Sequence, residues 1–290
     1  MQQSPILYGK EAPDAEFGSV AAIVVAVTND DKPAYYAYCS GVLVAPNVIL
    51  TAAHCITDDK ELPFKALFKA NKVVAIFDQN IGEPQADRIF ELSSYAANPD
   101  YDSITLMNDI GLLWLKSDVP VEIAKPQPML TDYSALQNVI SQKIPVDFVG
   151  YGMDENQVYN VRRYYTDVLN EWCSQSWCKI DDTYMPYGSV SHLIDDGGPC
   201  NGDSGGAVMV AIDEMRYVLA VVSFGDETCT RYDVSTTVAA HRNWIDAKLN
   251  PKASSGGCSV VVQHGNSGWG CLLATVLMLL TVVFRRARRV

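Results

Sequence analysis

The chain has 290 residues, of which 48% are hydrophobic and 19% charged, so it can bury a large core and is not intrinsically disordered. The first 250 residues carry 17 basic and 34 acidic side chains, a net charge of −17, because no acidic residue follows them. Such a surface repels phosphates, which argues against nucleic acid as a partner. The negative charge either attracts cationic peptides or serves solubility alone.

The N-terminus and the cysteines indicate the cellular compartment of the protein. Met1–Pro5 has no basic region followed by an apolar run, so we interpret it as the remnant of a leader or propeptide. Eight cysteines without the spacing of a metal site indicate disulfides and an oxidising compartment. A cytosolic protein is the alternative, which the cysteines disfavour.

Short runs rich in Val, Ile, Leu, Tyr and Phe, separated by Asp, Asn, Gly and Pro, predict an all-β sandwich or barrel. The runs are Val20–Val27, Gly41–Leu50, Val73–Phe77, Gly111–Leu115, Val146–Gly150, Ala207–Ile212 and Tyr217–Phe224. Ala239–Leu249 has apolar spacing that suits a helix.

The character of the chain changes after residue 249. Residues 250–268 form a predicted linker, and 269–290 a predicted hydrophobic helix with an arginine-rich end. The uncharged run Trp269–Phe284 has 16 residues, which is short for a bilayer span, although flanking residues and arginines extend it. The terminal arginines are expected on the cytoplasmic side.

Three motifs carry the chemistry: Thr51–Cys55, Asn108–Leu113 and Gly202–Gly206. They supply a histidine, an aspartate and a serine in that order. A serine hydroxyl needs an adjacent base, and the imidazole base needs a carboxylate that fixes its tautomer. The chain therefore contains every part of a nucleophilic serine site.

Together these motifs resemble those of the trypsin-like serine proteases of the chymotrypsin fold. The resemblance covers about residues 6–249. It extends to Ile6–Gly9, Gly150–Gly152, Ser223–Gly225 and Ala240–Ile245. It implies an all-β fold of two antiparallel six-stranded Greek-key barrels, about 6–119 and 129–238, with a crossover at Val121–Pro128 and a helix at 239–249.

The resemblance also implies catalytic roles. Ser204 would be the nucleophile, His54 the general base and then acid, and Asp109 the buried carboxylate that orients His54. The backbone amides of Gly202 and Ser204 would form the oxyanion hole. The resemblance implies no cofactor, and Asp78 and Glu83 do not reproduce the family's calcium loop, so no metal site is predicted.

Activation is expected to involve Ile6 and Asp203. In the family, cleavage before the residue matching Ile6 frees an amino group that pairs with the aspartate matching Asp203 and sets the oxyanion hole. Pro5 stands where activating enzymes usually find Arg or Lys, so trypsin-like self-activation is doubtful. Either another peptidase trims Met1–Pro5 or this N-terminus is not the native one.

Six cysteines lie within the protease-like region. The resemblance implies that Cys39 pairs with Cys55, and Cys200 with Cys229. Cys173 and Cys178 are close enough for a small local loop and are paired by elimination, although the family's usual bridge here spans a longer loop.

The substrate pocket departs from that of trypsins. Gly198 stands where trypsins carry the pocket-floor aspartate, while Asp233 matches a floor position normally held by glycine. Ser223, Phe224 and Gly225 match the strand that pairs with substrate backbone. This placement of glycine at 198 and aspartate at 233 resembles that of crustacean collagenolytic serine proteases. We therefore expect cleavage after Arg or Lys, with a broader tolerance for other residues than trypsin has.

Other readings of the pocket and of the function stay open. Asp233 is alternatively a surface loop residue, with Asp195 and Asp196 at the pocket entrance. The competing functions are a chymotrypsin-like or elastase-like protease and a non-catalytic binding module with the protease fold.

The C-terminal layout resembles the GlyGly-CTERM and MYXO-CTERM sorting tails of exported bacterial proteins. Gly256, Gly257 and Cys258 would be the region of processing or lipid attachment, cut by a sorting protease. A permanent single-pass anchor is the alternative. The expected protein is a bacterial, exported, monomeric endopeptidase that acts on protein or peptide substrates. It is expected to depend on an activating peptidase and to have a membrane-anchored precursor.

Overall fold

The computed structural model describes residues 6, 8–29, 32–58, 63–152, 160–180 and 182–251. The chain falls into a first unit, Met1–Lys248, and a second unit, Leu249–Val290, of which only the first three residues are described. The predicted hydrophobic helix at 269–290 and the sorting residues Gly256, Gly257 and Cys258 lie outside the described residues. Within the described ranges, no helix is long and apolar enough to cross a membrane.

Sixteen strands and four α-helices make up the described fold. The strands are β1 (Lys10–Glu11), β2 (Val20–Asn29), β3 (Lys32–Ala45), β4 (Val48–Thr51), β5 (Val73–Ile76), β6 (Ile89–Ala97), β7 (Gly111–Leu115), β8 (Val146–Gly150), β9 (Arg163–Asp167), β10 (Glu171–Trp172), β11 (Trp177–Ile180), β12 (Thr183–Pro186), β13 (Ser189–Leu193), β14 (Ala207–Ile212), β15 (Met215–Gly225) and β16 (Tyr232–Thr237). The helices are α1 (Asp14–Phe17), α2 (Phe64–Lys69), α3 (Tyr133–Ser141) and α4 (Val238–Leu249), with 3-10 turns at His54–Ile56 and Ala86–Arg88.

Strands β2 to β7 form a closed antiparallel barrel in the order β2-β3-β4-β7-β6-β5. Its interior is filled by large apolar side chains such as Ile23, Leu43 and Phe77, which are fully buried. The predicted strand Gly41–Leu50 is two strands, because Pro46 begins a turn and has no N–H to donate to a ladder. The closed barrel and the C-terminal helix agree with the all-β fold that the sequence predicts.

Among the described residues, the strand pairings of the second half do not show the predicted closed six-stranded barrel. They form an eight-stranded antiparallel sheet in the order β1-β9-β8-β14-β15-β16-β13-β10, with β11 and β12 as a separate hairpin. Each end strand has only two residues, and among the described residues no pairing joins β1 to β10.

Strand β1 of the N-terminal segment pairs with this second sheet, although the predicted boundary 6–119 assigned the segment to the first barrel. Lys10 pairs with Tyr164 in β9, and the amide of Ala12 donates to the carbonyl of Arg162 at 2.9 Å. Ile6 is 1% exposed. The segment therefore ties the start of the chain to the half that contains Ser204.

Candidate active site

His54 and Asp109 meet at one edge of the first barrel because β4 pairs with β7. Thr51 ends β4 and lies opposite Gly111, which begins β7. His54 follows Thr51 by three residues and Asp109 precedes Gly111 by two, so the two side chains meet. His54 Nδ1 lies 2.7 Å from Asp109 Oδ2, and the His54 backbone amide donates to Oδ1 at 2.9 Å.

Asp109 is completely buried, and Ser223 holds its carboxylate in place together with His54. The Ser223 hydroxyl donates to Asp109 Oδ2 at 2.6 Å. Burial raises the pKa of this carboxyl, but the charge of His54 and the hydrogen bonds from His54 and Ser223 outweigh it, so the pKa of Asp109 is lowered. An ionised Asp109 can only accept, which assigns the proton to His54 Nδ1 and leaves Nε2 able to accept another.

The loop that contains Ser204 is held against the first barrel by Ser40. The amide of Ser40 donates to the carbonyl of Ser204 at 2.8 Å, and its hydroxyl donates to the carbonyl of Gly202 at 3.1 Å. The Cys55 sulfur lies 3.6 Å from the same Ser204 carbonyl. The structure thus brings the Ser204 loop beside the turn that carries His54.

Gly202 occupies a position that only glycine fills without strain. Its φ is +95°, and a Cβ there would stand 2.9 Å from the Cα of Gly152. Within the described residues, the amides of Gly202 and Ser204 donate no hydrogen bond inside the protein. Both amides are therefore available to an incoming acceptor.

Asp203 is buried beneath this loop and contacts the N-terminal segment. The backbone nitrogen of Ile6 donates to Asp203 Oδ2 at 3.1 Å, while the amides of Gly152 and Cys200 donate to Oδ1 and Oδ2. Burial raises the pKa of Asp203 to about 6, although these three hydrogen bonds oppose the rise. In the uncut chain the carboxyl thus has amide partners but no cationic one among the described contacts.

Three disulfides stabilise the loops around these residues. The structure joins the same pairs that the sequence predicted: Cys39–Cys55, Cys173–Cys178 and Cys200–Cys229. Nitrogen and sulfur atoms of His54, Cys39 and Cys55 lie within 4.8 Å of one another. The two sulfurs are bonded to each other, so they offer no thiolate to a metal.

A cleft of about 270 Å³ opens beside Ser204. Four of the five predicted pocket residues line it: Ser223, Phe224, Gly225 and Asp233. Gly198, Asp195 and Asp196 do not line it. The loop that contains Gly198 instead packs on His192, since a Cβ at Gly198 would stand 3.1 Å from His192 Cε1.

Asp233 is a buried strand residue and not the surface loop residue of the alternative reading. It lies in β16, is 2% exposed, and pairs with His192 across the ladder between β13 and β16. His192 Nδ1 lies 2.6 Å from Asp233 Oδ2, and its Nε2 lies 3.0 Å from Asp167 Oδ2. Sequence reasoning missed His192 and Asp167, because neither belongs to a motif.

Two further residues support the site and were also missed. Ser40 directly follows Cys39, so its place beside the predicted disulfide was the available signal. In α4, His241 Nδ1 donates to the carbonyl of Thr237 at 3.0 Å, and His241 Nε2 lies 3.1 Å from Asn108 Oδ1. His241 thereby connects the C-terminal helix to the residue that precedes Asp109.

Comparison with known proteins gives one family match and several distant relatives. The family model described as Trypsin matches residues 6–245. Urokinase-type plasminogen activator of Gallus gallus is 25% identical over 73% of this chain and 51% of its own length. Vitamin K-dependent protein C of Rattus norvegicus is 26% identical over 74% of this chain and 46% of its own length. The vitellin-degrading protease of Bombyx mori is 25% identical over 73% of this chain and 76% of its own length.

The chain spans about half the length of the first two of these relatives. The three are animal proteins and lend no support to the bacterial origin that the C-terminal layout suggested. The family model covers more than four fifths of the chain, including every motif from Ile6 to Ile245. By this match and by its closed barrel with a C-terminal helix, the chain belongs to the trypsin family of serine proteases.

Proposed function

We propose that this protein is a serine endopeptidase in which Ser204 attacks the carbonyl carbon of a peptide bond. The observation that carries the proposal is the 2.7 Å contact between His54 and buried Asp109, beside the loop of Ser204. A base oriented by a carboxylate is what a serine nucleophile requires.

In the proposed reaction, His54 Nε2 takes the proton of the Ser204 hydroxyl as its oxygen bonds to the substrate carbon. The protonated His54 then gives this proton to the leaving amine as the peptide bond breaks, which leaves an acyl-enzyme. His54 then takes a proton from water as the water oxygen bonds to the ester carbon, and it returns that proton to the Ser204 oxygen as the ester bond breaks. Asp109 stays ionised throughout and stabilises the imidazolium. This proton transfer requires the Ser204 hydroxyl to lie within hydrogen-bond reach of His54 Nε2 in the complex with substrate.

The amides of Gly202 and Ser204 are the proposed oxyanion hole. Their lack of acceptors within the described protein and the positive φ of Gly202 support this role. Such amides stabilise the charge that develops on the substrate oxygen.

Cleavage before Ile6 is the proposed activation step. It would convert the Ile6 nitrogen, already 3.1 Å from Asp203 Oδ2, from an amide into an ammonium group. A buried carboxyl with a raised pKa gains strongly from such a partner. Because Pro5 precedes Ile6, a separate activating peptidase is proposed for this cut.

A preference for Arg or Lys, with broader tolerance than trypsin, is the proposed specificity. It is supported by buried Asp233, which lines the cleft beside Ser204. The alternative is an apolar preference of the chymotrypsin or elastase kind, in which His192 neutralises Asp233.

An exported, extracellular or cell-surface protein is the proposed location, which the three disulfides support. Processing at Gly256, Gly257 or Cys258 by a sorting protease, and a membrane-anchored precursor, remain proposals that rest on sequence alone. We propose protein or peptide substrates, a monomeric state and no nucleic-acid partner.

Labelling with a fluorophosphonate tests the proposed function. The protein cut before Ile6 should label, and so should its Ser141→Ala variant, which changes an exposed serine of α3. The Ser204→Ala variant should not label. A folded, cut protein that neither labels nor cleaves peptides would instead be a non-catalytic binding module.

A further inference from the structure

We propose that His192 is a specificity-determining residue of the candidate pocket: it binds one oxygen of Asp233 and leaves the other, Oδ1, for a cationic substrate side chain. This inference rests on the proposed function, since it concerns the pocket beside Ser204. His192 acts through Asp233 and is therefore a positioning residue. Asp167, on the far side of the imidazole, completes the cluster.

Both ring nitrogens of His192 contact carboxylates. Nδ1 lies 2.6 Å from Asp233 Oδ2 and Nε2 lies 3.0 Å from Asp167 Oδ2. Ionised carboxylates only accept hydrogen bonds, so each nitrogen has to donate a proton. With both carboxylates ionised, the contacts are those of an imidazolium between two carboxylates, and the cluster of Asp167, His192 and Asp233 carries a net charge of −1.

Asp233 has one carboxylate oxygen that no donor of the described structure reaches. It lines the cleft with Ser204, and its Oδ1 is buried without a hydrogen-bond partner. Ser235 is near enough to affect the pKa of Asp233, but its hydroxyl forms no hydrogen bond of normal geometry with Oδ1. A buried carboxylate oxygen without a donor is unfavourable. A guanidinium or ammonium group in the cleft would supply the missing donor and the compensating charge.

The imidazole cannot easily turn away from Asp233. The ring of Phe148 packs on it with a centroid distance of 4.7 Å, and the loop at Gly198 approaches Cε1 closely. His192 is 0% exposed. The cross-strand register His192↔Asp233 then sets which carboxylate oxygen is taken and which remains.

The protonation states agree with this geometry. Burial lowers the pKa of His192, but the charges of Asp233 and Asp167 and their hydrogen bonds outweigh it and raise the pKa to about 9. Burial raises the pKa of Asp233 above its ordinary value, and the charge and hydrogen bond of His192 offset this rise only in part. Removal of His192 should therefore raise the pKa of Asp233 further and protonate it in the free enzyme.

Other titratable groups around the cluster act on it more weakly. Tyr165 on β9 lies with its ring centroid 6.5 Å from that of His192. Asp203 has a pKa that the charge of Asp233 helps to raise. Asp195 and Asp196 act on Tyr165. None of these groups donates a hydrogen bond to Asp233 within the described structure.

The experiment compares kcat/KM for two reporter peptides that differ only in Arg or Leu before the cut bond. The proteins compared are the full chain cut before Ile6 and its His192→Gln and Asp167→Asn variants. Each is measured from pH 6 to pH 10. Asp147→Asn is the matched control, because Asp147 on β8 accepts hydrogen bonds from Thr166 and Arg216 outside the cleft. Active sites are counted by fluorophosphonate labelling of Ser204.

In His192→Gln at pH 7, the ratio of kcat/KM for the Arg peptide to that for the Leu peptide should fall at least about tenfold. The reason is that a rise of one unit in the pKa of Asp233 above the working pH lowers its ionised fraction tenfold. The midpoint of the Arg profile should move to higher pH, and the labelling rate should change much less. Asp167→Asn should give a smaller fall in the same direction, and Asp147→Asn none. An unchanged or increased Arg-to-Leu ratio in a labelled His192→Gln protein would overturn the inference.

The outcomes separate this inference from the proposed function. If the unmodified cut protein neither labels nor cleaves either peptide, the proposed function fails. If it labels and cleaves only the Leu peptide, the inference alone fails. If His192→Gln does not fold, Asp167→Asn decides, because the Asp167 side chain is 30% exposed and an asparagine oxygen can still accept from buried His192.

Discussion

The backbone amide of Ser40 donates a 2.8 Å hydrogen bond to the carbonyl oxygen of Ser204 across the two halves of the protein. The Ser40 hydroxyl adds a second link, since it donates to the Gly202 carbonyl and accepts from the Tyr151 amide at 2.9 Å. A serine on the barrel that carries His54 thus positions the loop of the candidate nucleophile. The relative position of His54 and Ser204 depends on these bonds.

We expect Ser40→Ala to slow fluorophosphonate labelling of Ser204 and to lower the free energy of unfolding by about 1–2 kcal/mol. The reason is that the Gly202 carbonyl and the Tyr151 amide both lose the Ser40 hydroxyl. Labelling rates and urea unfolding measure the two effects. Ser93→Ala, whose hydroxyl bonds backbone carbonyls of the same barrel away from the site, should label at the normal rate.

Asp109→Asn should lower kcat by about 10⁴-fold with little change in KM. An amide at this position can donate to His54 Nδ1 and so favours the tautomer that cannot take the Ser204 proton at Nε2. Steady-state cleavage of the best reporter peptide measures the loss. A fall of less than tenfold would contradict the proposed role of Asp109.

The sequence predicts the candidate nucleophile, base and carboxylate because each lies in a short motif with cysteine or glycine neighbours. It does not predict His192. That residue lies in an ordinary strand, and its contact with Asp233 arises from the register of β13 on β16, which one sequence does not specify. Likewise, the two-residue strands β1 and β10 have no alternating pattern, so the eight-stranded sheet was not foreseen.

Arg162 should be among the residues most sensitive to substitution. It is 0% exposed, and its guanidinium donates to the carbonyls of Ala12 and Val20 and to the Tyr151 hydroxyl while it pairs with Asp14. A lysine has one charged nitrogen and cannot make this set of bonds. We expect Arg162→Lys to lower the free energy of unfolding by about 3 kcal/mol.

Arg231→Lys is the matched control for this change. Arg231 pairs with Asp182 at the surface at 3.0 Å, and its replacement should alter stability by less than about 0.5 kcal/mol. Urea unfolding of both variants measures the difference. Equal effects would show that the buried guanidinium has no special structural role.

Asp203 should make the uncut protein less stable as the pH rises from about 4 to about 6. Its pKa in the folded protein is about 6, against an ordinary value of 3.8, so the folded state binds its proton more tightly than the unfolded state does. The free energy of unfolding therefore declines over that window, by about 3 kcal/mol in all. Urea unfolding at pH 4, 5, 6 and 7 measures the decline, which Asp203→Asn should remove.

Cleavage before Ile6 provides the decisive comparison, because an ammonium at Ile6 favours ionised Asp203 and should shrink this decline. Asp102→Asn is a control, because Asp102 changes the free energy of unfolding with pH in the opposite direction to Asp203. Backbone amides of Thr105 and Ile104 lower the pKa of Asp102, so its contribution to stability is present above about pH 4 and is lost as the pH falls. If the cut and uncut proteins show the same pH dependence, the new N-terminus does not reach Asp203, and the proposed activation step is wrong.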